Sequence, residues 1–302
     1  MAKSLVKAKK STKSTELANV KFNVWTWRIV VPIIVSAGLL LIANSAIWVN
    51  DVLFNTEKFT QITSQALLSE SSRNALAGEI VDQALADRPI VKRVVGEPAT
   101  KFVSGLLGTN LAETATDKVV ARLQTAVTTE DPQNIEIDLT GIKNILPKLI
   151  SLAGAEDSIP EETKLPDTLV LLDTANIPNV YKYATVFLWL APISAITATI
   201  LLAYPHIKRR SIVVPVVAMQ GFAIVLTGFF AQLVGPLFRP AILSQVSNQN
   251  IRIVVENIYN AFSNSFNAQS NWLFVVGGAL LLVAAVIPLS KAVPKLISRY
   301  KK

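Results

Sequence analysis

The side chains best equipped for chemistry in this chain are its single histidine, His206, and the acidic group Glu156, Asp157, Glu161, Glu162 and Asp167. A histidine can move protons or ligate a metal. His206, however, stands beside Lys208, Arg209 and Arg210. A cationic neighbourhood disfavours a metal ion, and a zinc site needs further His or Cys at ligand spacing. His206 therefore reads as a residue of a short basic loop. The acids could hold Ca²⁺ only with alternating ligands and a sharp glycine turn. They lack that pattern and read as a solvated acidic loop. Gly105 and Gly108 are isolated, so there is no phosphate-cradling loop. With no cysteine in the chain, disulfides, iron–sulfur clusters and Cys-based zinc sites are excluded. No catalytic, cofactor-binding or metal-ligating residue is assigned.

Four apolar runs must position whatever the chain does: 29–49, 184–204, 212–235 and 272–289. None contains Asp, Glu, Lys, Arg or His. A spanning helix needs roughly 20 such residues. The first run follows a basic segment, as a signal peptide would, but exceeds the roughly 7–15 apolar residues of a signal h-region. It reads as an uncleaved anchor, although Ala43, Ser45 and Ala46 offer a cleavage site. Trp25, Trp27 and Trp48 flank the first run and Trp272 opens the fourth. Tyr181, Tyr183 and Tyr204 flank the second. Amphipathic rings favour the headgroup level, so the four tryptophans are expected as interface anchors.

Charge sorts the remaining segments. The two tails and the 205–211 loop hold fifteen basic residues against one acid, Glu16. The segments 50–183 and 236–271 hold fourteen basic and twenty acidic residues. Basic residues near helix ends stay in the cytoplasm. Both termini are therefore expected inside a cytoplasmic membrane and the two longer segments outside it. Residues 1–24 read as a disordered basic tail and 291–302 as a second basic tail, both facing anionic lipid headgroups. No aromatic residue interleaves the N-terminal lysines before Lys21, so no nucleic-acid partner is expected. With His206 inside, a Ser-His-Asp hydrolase on the outer side is excluded.

The runs contain uncharged polar residues: Asn44, Ser45, Ser194, Thr197, Thr199, Gln220, Thr227 and Gln232. Their bland role is hydrogen bonding between helices; the sharper one is a polar conduit. Ion and proton pathways usually carry ionisable residues in the membrane, and these runs have none. Gly221, Gly228 and Gly235 recur every seven residues, along one helix face. Small residues let helices approach closely. Ala191 and Ala195 on the second run, and Gly277 and Gly278 on the fourth, are candidates to meet them.

Segment 50–183 reads as a mainly helical domain that folds as a compact unit. Apolar spacing predicts helices over 56–68 and 71–86, an interruption at Arg88-Pro89, a helix from Pro98 to Gly108, and another from Asn110 fading near Thr129. A turn follows at 130–134. Ile135, Ile137 and Leu139 alternate with acids, as in a half-buried strand. Ile142–Ile150 returns to helical spacing. Ala153–Pro166 is an acidic loop, and Thr168–Asp173 is a second strand candidate. Pairing direction is left open. The 236–271 segment is expected as a loop with an amphipathic helix through Ile251, Val254 and Ile258, lying on the outer domain or the membrane surface.

Four segments together resemble a group of uncharacterised, actinobacterial-type integral membrane proteins. They are Phe54-Asn-Thr-Glu-Lys-Phe-Thr, the short helices after it, Ile-Glu-Ile-Asp-Leu-Thr-Gly-Ile at 135–142, and Ile159-Pro160 followed by TLVLLD and the Trp189-containing second run. The resemblance covers most of the chain from about residue 25. It implies four spans and one long extracytoplasmic loop domain, and no activity, ligand or functional residue. The expected fold is thus an α-helical membrane protein with four spans and a mainly helical outer domain bearing a small two-stranded β element. The expected function is non-enzymatic: envelope interaction with a protein partner, scaffolding or sensing. A small-molecule transporter or channel component is the alternative.

Overall fold

The computed structural model describes residues 27–86, 89–109, 120–121, 123–125, 135–138, 168–172, 183–208 and 213–300. Trp25, Tyr181, the acidic group, the start of the helix at Asn110, the 130–134 turn, and segments 142–150 and 153–166 lie outside them. Four helices are long and apolar enough to cross a membrane. They are α1 (Trp27–Leu53), α5 (Ala184–Lys208), α6 (Val213–Leu243) and α7 (Gln249–Tyr300). Between α1 and α5 lie α2 (Thr56–Leu67), α3 (Glu70–Ala84) and α4 (Pro89–Leu106). The architecture is that of a helical, multi-pass membrane protein.

Local chemistry sets several boundaries. The Asn55 side chain accepts from the Lys58 N–H at 3.1 Å and starts α2. Ser69 caps α3 through the Ser72 N–H at 3.3 Å. Asn248 accepts from the N–H groups of Asn250 and Ile251 at 2.9 and 3.1 Å and starts α7. Such caps satisfy donors that the first helical turn leaves open. The interruption expected at Arg88-Pro89 falls between the end of α3 and the start of α4, and Pro89 opens α4, a position where its missing N–H costs nothing. The helix then runs through Pro98 instead of starting there. Pro98 leaves the Val94 carbonyl without its usual donor; Val94 is 74% exposed, so water can take that place.

The loops between spans are shorter than expected. Helix α5 continues through Pro205 to Lys208, so His206 is helical and not in a loop. Helix α6 passes Gly235, Pro236 and Pro240 and ends at Leu243. Helix α7 has 52 residues, about 78 Å at the α-helical rise. A bilayer needs less than half of it. The amphipathic helix expected in the 236–271 loop is therefore the first part of the fourth spanning helix.

The chain forms two compact units. The first gathers Met1–Ala46, Trp189–Gln232 and Gln269–Lys302. Here Ile29 and Ile33 of α1 bury themselves against Val216 and Ala223 of α6. The second gathers Ile47–Leu188 and Leu233–Ala268. Its core joins Phe59 of α2, Leu76, Ile80 and Val81 of α3, and Val103 of α4 to Ile251 and Val254 of α7. The domain read as 50–183 is thus completed by the later segment. Ile251 and Val254 lie in the core, not on a membrane surface, because α7 offers α3 a continuous apolar stripe.

Strand geometry occurs at β1 (Ile135–Asp138) and β2 (Thr168–Leu172), antiparallel, with Glu136 opposite Val170 and Ile137 opposite Leu169. The helical framework is what the structure shows; a β element as a working part of the outer domain is not supported by it.

Candidate functional site: a neutral polar cluster among the spanning helices

Asn44 sits two thirds of the way along α1 and is 1% exposed. Its amide is oriented by its neighbours. Trp272 Nε1 can only donate and does so to Asn44 Oδ1 at 3.0 Å. Asn44 Nδ2 therefore points the other way and donates to Ser270 Oγ at 2.8 Å. Gln269 Nε2 donates to the Asn44 carbonyl at 3.1 Å. Asn44 of α1 thus meets three polar side chains of α7 through hydrogen bonds. Asn44 was visible in the sequence. Gln269 and Ser270 were not, because they precede the last apolar run and looked like loop.

Six of the other polar span residues have hydrogen bonds that can be assigned, and Ser194 of α5 is buried. Thr227 Oγ1 of α6 donates mainly to the Ala223 carbonyl of its own helix at 2.9 Å, with the Ala37 carbonyl of α1 farther off at 3.3 Å, and Gln232 Nε2 reaches Asn271 Oδ1 of α7 at 3.2 Å. Gln220 Nε2 donates to the Leu202 carbonyl of α5 at 2.6 Å. That bond turns Gln220 Oε1 towards His206 Nε2, 3.0 Å away. Gln220 and Gln232 tie helices together. Ser45, Thr197 and Thr199 instead bond to the carbonyls of Leu41, Ile193 and Ala195, four residues back on their own helices. Hydroxyls commonly satisfy themselves this way and then contribute nothing between helices.

The glycine face of α6 meets α7. A Cβ at Gly221 would stand 2.8 Å from the Gly277 carbonyl oxygen, and a Cβ at Gly277 would stand 2.8 Å from the Gly221 carbonyl oxygen. The two backbones touch here. A Cβ at Gly228 would meet Leu273 Cβ and the Phe274 ring at 3.2 Å. Within the second unit, a Cβ at Gly235 would meet Ser263. Gly278, one residue from Gly277, has nothing within 4 Å of that position. The nearest atoms to the three α6 glycines belong to α7, so Ala191 and Ala195 of α5 are not their closest neighbours. Ala191 is buried and Ala195 half-buried.

The tryptophans take different surroundings. Trp27 is exposed and Trp272 half-exposed. Trp48 packs edge-on against Phe266 and Phe262, with ring centroids 5.5 and 6.3 Å away, and its Nε1 donates to Ser265 Oγ at 3.3 Å. It is a packing residue between α1 and α7, beyond any role at the headgroups.

In the second unit, Glu79 of α3 is a buried carboxylate held by neutral donors. Gln83 Nε2 donates to it at 3.0 Å and Asn250 Nδ2 at 3.3 Å. Asn250 lies in the first turn of α7, whose N-terminal end favours a negative charge. Nothing local signals this contact, since Glu79 and Asn250 are far apart in the chain. On α4, the hydrogen bond from Lys101 at 2.8 Å lowers the Glu97 carboxyl and raises the Lys101 amine from their ordinary pKa values. Among the described residues, no group of three or more His, Cys, Asp or Glu side chains is placed to hold a metal ion.

No family model, no curated protein and no solved structure matches this chain.

Proposed function

We propose that this is a non-enzymatic integral membrane protein whose membrane helices anchor a mainly helical extracytoplasmic domain, used for envelope interaction, scaffolding or sensing. The observation that carries the reading is a division of labour. In the first unit, buried Asn44, Ser270 and Gln220 use hydrogen bonds to join helices. In the second, α2, α3, α4 and the start of α7 enclose a core of their own. A transporter or channel component has less support, because these buried side chains are hydrogen-bonded within the helix packing and carry no ionisable group.

The finer picture belongs to the same reading: a bacterial cytoplasmic membrane, both termini inside, anionic headgroups at the basic tails, and the β1–β2 ribbon as part of the outer domain. The likeness to actinobacterial-type four-span proteins is part of it too. The basic tails and the Lys208–Arg210 segment support the orientation. An exterior-active reporter inserted near Glu162 should be active and the same reporter fused after Lys302 silent. The reverse pattern would sink the topology. Cross-linking from the outer domain of the full chain in intact cells should then capture a discrete envelope component; hydrolysis or transport activity of the purified protein would instead overturn the non-enzymatic scaffold reading.

A further inference from the structure

Two polar bonds join α3 to α7 in the second unit. Ser72 is fully buried and donates to the Ala66 carbonyl at 2.7 Å, leaving its oxygen to accept from Asn257 Nδ2, 2.9 Å away. Two turns further along α3, Glu79, 6% exposed, accepts from Asn250 Nδ2 at 3.3 Å. Seven residues separate Ser72 from Glu79, and seven separate Asn250 from Asn257. Both bonds therefore form in a single antiparallel alignment of the two helices. Around them, Leu76, Ile80 and Val81 of α3 pack in one core with Ile251, Val254, Ile258 and Phe262 of α7.

The apolar stripe does not choose that alignment by itself. Its side chains recur on α7 at three- and four-residue steps, so neighbouring turns resemble one another. A slip of α7 by four residues puts Val255, Ile258, Phe262 and Phe266 in the places of Ile251, Val254, Ile258 and Phe262, apolar for apolar. In that alignment Glu79 stands opposite Val254, and Ser72 opposite Ala261. The carboxylate keeps only Gln83 of its own helix, and burying a charge short of donors is costly. The other slips fail on apolar grounds. Four residues the opposite way put Ser247 and Asn250 where Ile251 and Val254 lie. Seven residues supply Asn257 and Asn264 as donors but bring Ser265 to the place of Ile258. The reverse of that slip runs past the start of α7 at Gln249. We propose that the Ser72–Asn257 and Glu79–Asn250 pairs form a register lock: they reject the one slip that apolar packing accepts. A polar residue within an apolar seam can fix register in this way without adding stability. Because α7 continues as a candidate spanning helix, the lock sets which of its turns meets the core of the second unit. The inference goes beyond the proposed function and does not depend on any protein partner.

The chain has no cysteine, so two can be introduced for spin labels: Ser71→Cys on α3 and Gln249→Cys at the start of α7, both at exposed positions. The distance between the labels is read by electron–electron resonance on the full chain in lipid discs. The labelled parent should give one narrow distance, and two distances there overturn the proposal. Adding Glu79→Leu with Asn257→Leu should keep the helix content and introduce a second, longer distance, increased by up to about 5 Å, the rise of one turn. Glu79→Gln keeps an acceptor for Asn250 and should keep the single distance. That contrast separates a register role from a purely stabilising one, since apolar replacement of a buried polar pair often leaves stability intact. An unchanged single distance in Glu79→Leu with Asn257→Leu overturns the proposal. A second distance in Glu79→Gln overturns it as well, because both bonds survive there. Should the leucine variant not fold, Asn250→Ala with Asn257→Ala removes the same two bonds, leaves Glu79 with Gln83, and should give the longer distance; a single native distance in it overturns the proposal. Failure of both to fold also overturns it, because the pairs then serve the fold itself and not its register.

Discussion

At the residue scale, geometry separates positions that composition treats as equal. Gly277 and Gly278 are adjacent and identical in type. Only Gly277 lies where the backbones of α6 and α7 touch. Gly277→Ala should force the helices apart and lower stability in detergent by about 1–3 kcal/mol, the usual range for overpacking. Gly278→Ala should be neutral or raise stability slightly, because Ala favours a helix over Gly by ~1 kcal/mol in water. Thermal unfolding of the two variants in one detergent distinguishes them. If Gly278→Ala is the damaging change, the contact face is misassigned. Asn44 is the second such position. Asn44→Leu leaves the Trp272 N–H and the Ser270 hydroxyl without the partners they have now. Hydrogen bonds between membrane helices are worth roughly 0.6–2 kcal/mol each. A loss of about 1–3 kcal/mol is expected for the two together on that scale. An unchanged unfolding midpoint would mean the cluster contributes no net stability.

At the scale of elements, α7 has the largest consequences. Its early residues Ile251 and Val254 complete the core formed by α2, α3 and α4. Ile251→Ala should therefore destabilise the second unit by about 2–5 kcal/mol, as for other buried aliphatic truncations. Protection of α3 amides in hydrogen exchange would report it. The same contact predicts that residues 50–183 alone melt broadly. Supplying 233–268 on a covalent linker should restore a cooperative transition. A sharp melt for 50–183 alone, equal to that of the linked form, would show that the α7 contact is dispensable. Neither melt should respond to reductant, because the chain has no cysteine.

At the scale of the whole molecule, the four long apolar helices place the protein in a membrane, and the charge asymmetry of its connecting segments sets the orientation proposed for it. Neutralising Lys208, Arg209 and Arg210 together should weaken that preference. A mixed population is expected with the Glu162 reporter, and full retention of its activity would show that the two tails alone suffice. The two compact units assign different work to one chain. The first packs helices through glycine contacts and neutral hydrogen bonds, since lipid provides no hydrophobic drive between helices. The second packs by burial of aliphatic side chains, as water-facing domains do.

The number of spans, the helices over the described residues 56–106, and the starts of α2 and α3 were legible from the residues themselves. Each rests on a local property: a run of about 20 uncharged apolar residues, a period of 3.6, or a capping side chain. The seven-residue spacing of Gly221, Gly228 and Gly235 also showed that they share a face, although not which helix meets it. What tertiary structure decided is everything between distant segments. It extended α6 and α7 beyond the bilayer-sized runs, because packing stabilises helical turns that hydropathy alone would end. It placed Ile251 and Val254 in a core begun some 190 residues earlier, at Phe59. It paired Asn44 with Gln269, Ser270 and Trp272, and Glu79 with Asn250. Sequence fixes a polar residue's need for a partner, but the partner's identity follows only from which helices lie side by side.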